Sequence, residues 1–124
     1  MIREVGGSIP SWRAMETEKL YVVSRADLPP GDRAAQSCHA AFAFAFRHPT
    51  HAAEWFWDSN NIVLLECPDE PALRKLVELA RSAAVPYALF SEPDFECAAT
   101  ACAFGNGARR FLSSLPLALK NKAA

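Results

Sequence analysis

Apolar and polar positions along the chain alternate between two periodicities. Leu20-Tyr21-Val22-Val23-Ser24 is a β-branched run that reads as a strand, and it stops at the turn chemistry of Asp27-Leu28-Pro29-Pro30-Gly31. Asp32 then stands where a helix N-cap belongs, and an Ala-rich stretch of about sixteen residues follows until Pro49 stops it. Within that stretch Ala35, Cys38, Phe42 and Phe46 fall at helical spacing and are expected to face the core. The alternation from Phe42 to Phe46 also suits a strand, but the Ala content and the cap agree on helix.

His51 to Ser59, with Trp55, Phe56 and Trp57, reads as a short helical piece covering the core. Asn61 to Cys67 is an almost continuous apolar run, as expected of a strand covered on both faces. Asp69-Glu70-Pro71 opens the next helix. Its predicted buried stripe is Leu73, Leu76, Val77, Ala80 and Ala84, and its wet face Arg74, Lys75, Glu78 and Arg81. Pro86 to Phe90 reads as a third strand and Ala98 to Phe104 as a fourth. Gly105-Asn106-Gly107 makes a turn, and Ala108 to Leu115 a last short helix ended by Pro116.

The order β-α-β-α-β-β-α predicts an α/β domain, a mixed four-stranded sheet with helices on both faces. Residues 1–17 hold Gly6-Gly7-Ser8 and Pro10 without periodicity and read as a flexible arm; the domain is expected over 18–119, with 120–124 as a tail. A chain of 124 residues leaves little room for a second domain.

Composition narrows the function classes. The net charge is −1, so no global basic field marks a nucleic-acid binder; DNA is not an expected partner, and RNA would need a local patch. Cys38, Cys67, Cys97 and Cys102 form no C-x-x-C pair and read as small reduced core residues. The first residues lack a signal-peptide core, and no apolar stretch reaches the roughly 18 residues of a membrane span. The expected location is therefore cytoplasmic, with no membrane partner. The aromatic segment Trp55-Phe56-Trp57 is a candidate homodimer surface should its rings prove exposed.

Candidate chemistry gathers on the first helix. Asp32, Gln36 and His39 sit at i, i+4 and i+7 and share a face near the helix N-terminus, just after a strand, where open α/β sheets bind ligands. Free N–H groups there favour an anion or a developing oxyanion. Glu92 follows the third strand directly and suits a general base or a water-positioning group. Thr100 lies among small residues in the fourth strand, where Val would pack better. Arg25, Arg33, Arg109 and Arg110 are candidates for a modest basic rim. The bland alternatives stay open: a solvated helix face, a self-satisfied Thr hydroxyl, ordinary surface arginines. His48 and His51 do not complete a metal site, because Pro49 interrupts the helix and no carboxylate is suitably spaced.

Arg25-Ala26-Asp27-Leu28, then Gly31, then Ala34-Ala35-Gln36-Ser37-Cys38-His39-Ala40-Ala41 resembles the opening of type 2 peptidyl-tRNA hydrolases. Val63 to Cys67 with Pro68-Asp69-Glu70, Pro86 to Phe90, and Thr100 to Gly105 resemble the family's later strands, so the likeness spans about residues 19–117. The resemblance implies hydrolysis of the ester between a peptide and the 3′ ribose of tRNA, with the acceptor end of tRNA as partner and no cofactor. It implies catalytic roles for Gln36, His39, Glu92 (in place of the family's Asp) and Thr100; beside it, the helix-face and basic-rim readings make Asp32, Arg33, Arg25 and Arg109 the expected substrate contacts. Two departures accompany it. Asp32 stands where the family has a functional lysine, and the loop Pro93-Asp94-Phe95-Glu96 is shortened and lacks the family's Thr-Gln pair. Two alternatives stay open: a non-catalytic module binding tRNA, a nucleotide or a protein on the same fold, and an enzyme of different specificity in the same cleft.

Overall fold

The computed structural model describes residues 18–120. The expected arm over 1–17, and all of the expected tail beyond Lys120, lie outside the described residues.

The elements run β1 (Lys19–Arg25), α1 (Pro30–Arg47), α2 (Pro49–Asp58), β2 (Asn61–Cys67), α3 (Glu70–Ser82), β3 (Tyr87–Glu92), β4 (Ala98–Phe104) and α4 (Arg109–Leu112). A single 3₁₀ turn, Pro93–Phe95, joins β3 to β4. The sheet order is β2-β1-β4-β3. β1 and β2 are parallel, whereas β4 runs antiparallel to both β1 and β3. This is the mixed four-stranded sheet expected, and helices cover both faces. α1 and α2 lie over Leu20, Val22, Leu64, Ala88, Ala101 and Ala103 through Ala40, Phe44, Ala52 and Trp55. α3 and α4 cover Tyr21, Val23, Leu65, Cys67, Cys102 and Phe104 through Leu73, Leu76, Val77, Ala80 and Leu112. No helix among the described residues is long and apolar enough to cross a membrane.

The register of α1 differs from the expected one. Phe42 and Phe46 are 67% and 83% exposed, whereas Phe44 is 1% exposed. Ala35 and Cys38 also face out, and the buried side carries Gln36, Ser37, Ala40 and Phe44. Phe at every second position gives this helix two apolar stripes of equal spacing, and the sheet takes the stripe whose polar members it can satisfy. Asp32 is not the N-cap. The helix begins at Pro30 after Pro29, without a side-chain cap, and Asp32 sits in its first turn. Pro at this position costs no hydrogen bond, because its missing N–H is one the helix start leaves unpaired.

Smaller corrections follow from tertiary context. Only Cys67 and Cys102 are buried; Cys38 and Cys97 are exposed. β2 is an edge strand whose first two residues, Asn61 and Ile62, are exposed rather than covered on both faces. Ala84 lies beyond α3, exposed, in a left-handed conformation at φ +56°. The last helix is confined to Arg109–Leu112. Phe56 and Trp57 are about half exposed on α2. The start of α3 is as read, with Asp69 accepting the Ala72 N–H at 3.0 Å.

Gly105 follows β4 and lies against Pro86 and the buried ring of Phe44. A Cβ there would stand 2.9 Å from Pro86 Cγ and 3.3 Å from Phe44 Cζ.

Candidate functional site

Gln36 lies on the buried side of α1 and is 4% exposed, in a place that packing alone would give to Leu. Its carbonyl oxygen accepts the Thr100 hydroxyl at 2.6 Å, and its amide donates to Glu92 Oε1 at 2.8 Å. Thr100 reaches this face because β4 bulges. Phe90 pairs with Ala101 and Ser91 with Ala99, leaving Thr100 as the extra residue. Its two neighbours show the effect: Ala99 packs in the α3 layer and Ala101 in the α1 layer. Thr100 has no exposed surface, and its hydroxyl has a second, longer contact of 3.4 Å to Phe90 O.

Glu92 is the last residue of β3. Its Oε2 accepts the Asp94 N–H at 3.3 Å, so the 3₁₀ turn is capped by the same carboxylate that meets Gln36. The Gln36 amide first, then the Asp94 N–H and the nearby His39, hold this carboxyl below the ordinary glutamate range. The His39 ring stacks on Phe90, with centroids 4.7 Å apart and planes at 26°, and its Nε2 lies 4.0 Å from Glu92 Oε1. Side chains from α1, β3 and β4 thus form one chain, Thr100 to Gln36 to Glu92, with His39 beside its end. That gap suits a water hydrogen-bonded to both Nε2 and the carboxylate. Such a chain can fix a carboxylate, aim it, and hold a nucleophilic water against the half-exposed imidazole.

The arginines are placed differently. Arg33 Nη1 pairs with Glu66 Oε1 at 2.8 Å, both side chains being largely shielded. Glu66 lies next to Ser24 in the β1–β2 register, and Ser24 Oγ and Arg33 Nε are buried without a hydrogen-bond partner among the described residues. Arg25 grips Asp27 with two bonds of 2.9 Å, donates to Ala99 O at 3.0 Å and lies 3.9 Å from Glu70. Glu70 in turn accepts the Ala99 N–H, which with Arg74 keeps its carboxyl low. Arg25 is therefore a strut joining the end of β1, the start of β4 and the start of α3. Arg109 is not brought to this place. It is exposed on α4, beyond the far end of β4 and on the opposite face of the sheet. Asp32 is half-exposed in the first turn of α1, next to Arg33.

Sequence reasoning missed Glu66, Ser24 and Phe90 as members of this neighbourhood. A signal for Glu66 exists: it is the one charged residue inside the apolar run Ile62 to Cys67. Phe90 and Ser24 carry none, since neither differs in type from ordinary strand residues.

Comparison with known proteins places the chain. The family described as peptidyl-tRNA hydrolase PTH2 matches residues 18–110. No curated protein matches the sequence significantly. Among solved structures, a protein of unknown function from Agrobacterium tumefaciens strain C58 is similar, with a TM-score of 0.64 at 14% identity. The match covers 83% of this chain and 98% of that one, and it shows a shared fold.

Proposed function

The chain belongs to the peptidyl-tRNA hydrolase PTH2 family, and from that premise we propose that it cleaves the ester joining a peptide or N-blocked aminoacyl group to the 3′ ribose of tRNA. The observation that carries the reading is the Thr100–Gln36–Glu92 chain ending 4.0 Å from His39 Nε2. Water bridges Glu92 Oε1 and His39 Nε2. As it attacks the ester carbonyl, its proton passes to the imidazole, whose positive charge the ionised Glu92 stabilises. The tetrahedral intermediate then collapses, the ribose 3′ oxygen leaves, and the imidazolium returns the proton to it. Gln36 holds Glu92 in place, and the Thr100 hydroxyl fixes which end of the Gln36 amide faces the carboxylate.

Two first-turn N–H groups of α1, those of Gly31 and Asp32, have no side-chain cap and suit the oxyanion or an acceptor-end phosphate. The Asp32 carboxylate opposes an anion there, and Arg33 shares its charge with Glu66. Binding of the tRNA end is accordingly weaker than a lysine at this position would give. The test is release of the N-blocked amino acid from N-blocked aminoacyl-tRNA by wild type, Glu92→Gln and His39→Ala. Each variant is expected to lose about 10²–10⁴-fold in kcat, the range for removal of an acid–base group. Release by wild type no faster than in buffer ends this reading.

A further inference from the structure

α1 and the edge strand β3 are cross-linked at four successive levels: Gln36 to Glu92, His39 on Phe90, Arg47 to Leu89 O at 3.3 Å, and His48 to Tyr87 O at 2.8 Å. The first two form the site described above. The last two open onto a cleft of about 460 Å³ lined by Arg47, His48, His51, Val85, Pro86 and Tyr87 among others. That volume lies in the range of ligand sites. No carboxylate among the described residues lines it. In a chain of net charge −1, this places a guanidinium and two imidazoles around an apolar floor.

Two groups in this cleft, Arg47 and His51, are not used up by the fold. Arg47 spends one N–H on the edge carbonyl of Leu89, and a guanidinium carries five. The His51 ring has only an edge contact with His48, centroids 6.1 Å apart, and no hydrogen bond among the described residues. A fixed cation beside an exposed ring face is what a phosphodiester strand with stackable bases requires.

Resting on the hydrolase reading, we propose that this cleft is a second RNA subsite, which binds phosphate and base of the tRNA strand leading away from the scissile ester. His39 and Arg47 are eight residues apart on α1, about 12 Å along a helix. Stacked nucleotides rise about 3.4 Å each, so the cleft meets the strand three to four nucleotides from the ester. Arg47 takes the phosphate, and the exposed His51 ring offers a face to a base.

The experiment compares N-blocked aminoacyl-tRNA with N-blocked aminoacyl-adenosine, which carries the ester but no strand. Arg47→Gln and His51→Gln are expected to raise KM about five- to tenfold for the tRNA substrate while leaving kcat, and both constants for the adenosine ester, within twofold. Arg47→Gln should also lower the slope of log affinity for tRNA against log salt by about one, whereas Lys75→Gln on α3 leaves it unchanged. His51→Gln guards against a folding artefact, because His51 makes no hydrogen bond that holds the fold among the described residues. Equal effects on both substrates, or a tRNA affinity and salt slope unchanged in Arg47→Gln, overturn the proposal. If wild type turns over neither substrate, the hydrolase reading has failed, and the tRNA affinity and salt slope alone then decide the subsite.

Discussion

Gln36→Leu tests the site most sharply, because it keeps the bulk of a buried side chain and removes two hydrogen bonds with different readouts. On one side, the Thr100 hydroxyl loses its 2.6 Å acceptor and keeps only the 3.4 Å contact to Phe90 O. Leaving a fully buried hydroxyl this poorly paired costs about 1–3 kcal/mol, offset in part by the added apolar burial of Leu. For a domain of this size that is a fall in Tm of roughly 5–15 °C. On the other side, Glu92 loses the group that does most to keep its carboxyl below the ordinary value of 4.5. A depressed carboxyl stabilises the folded protein above the unfolded glutamate pKa, and that contribution disappears as pH falls through the folded value. In Gln36→Leu the folded value rises, so this pH-dependent part of stability shrinks. The Glu92 carboxyl itself, followed through its side-chain carbon resonance, titrates at higher pH than in wild type.

Thr100→Val separates the two effects. It removes the hydroxyl at a cost of about 0.5–1.5 kcal/mol but leaves the Gln36 amide on Glu92, so the Glu92 titration should stay close to wild type. The assays are thermal or urea unfolding between pH 3 and 7 and NMR titration of the Glu92 carboxyl over the same range. A Glu92 titration unmoved in Gln36→Leu, or moved equally by Thr100→Val, refutes the assignment of Gln36 as the residue that sets the charge on Glu92.

Further expectations concern single positions. Ser24→Ala should be neutral or slightly stabilising in urea unfolding, because it deletes a buried hydroxyl without a partner among the described residues. Gly105→Ala should cost about 1–3 kcal/mol, since its Cβ would stand 2.9 Å from Pro86 Cγ and 3.3 Å from the ring of the buried Phe44. Asp32→Lys should lower KM for aminoacyl-tRNA and steepen its salt dependence by about one to two phosphate equivalents, with little change in Tm. An unchanged salt slope in that variant would separate the start of α1 from the RNA strand.

The sheet, its strand boundaries to within a few residues and the start of α3 were legible because each rests on local pattern: β-branched runs, Asp before Pro, Gly-Asn-Gly. The four residues Gln36, His39, Glu92 and Thr100 were legible as chemistry, but the arrangement that joins them was not. Reading α1 by apolarity alone puts Phe42 and Phe46 inside and Gln36 on a solvated face. Gln36 turns inward because Thr100 and Glu92, far along the chain, complete its hydrogen bonds. The bulge that aims Thr100 at it is a register property of a strand pair, invisible in strand alternation. The rim of arginines illustrates the same limit from the opposite direction. Residue type suggested free cations, and partners distant in sequence, Glu66 for Arg33 and Ala99 O for Arg25, claim them.

The pairing of β1 with β4, Tyr21 against Phe104, has a consequence for how the molecule comes into being. The middle of the sheet is built from the first strand and the last, so an N-terminal portion emerging from the ribosome has β1 and β2 to pair but neither β3 nor β4. Non-local pairing of this kind slows folding and leaves an apolar strand edge waiting. Gln36 waits as well, since both of its partners are made after most of the domain. A nascent chain therefore joins Thr100, Gln36 and Glu92 only once β4 has been made, and truncations before Phe104 should yield chaperone clients rather than smaller folded domains.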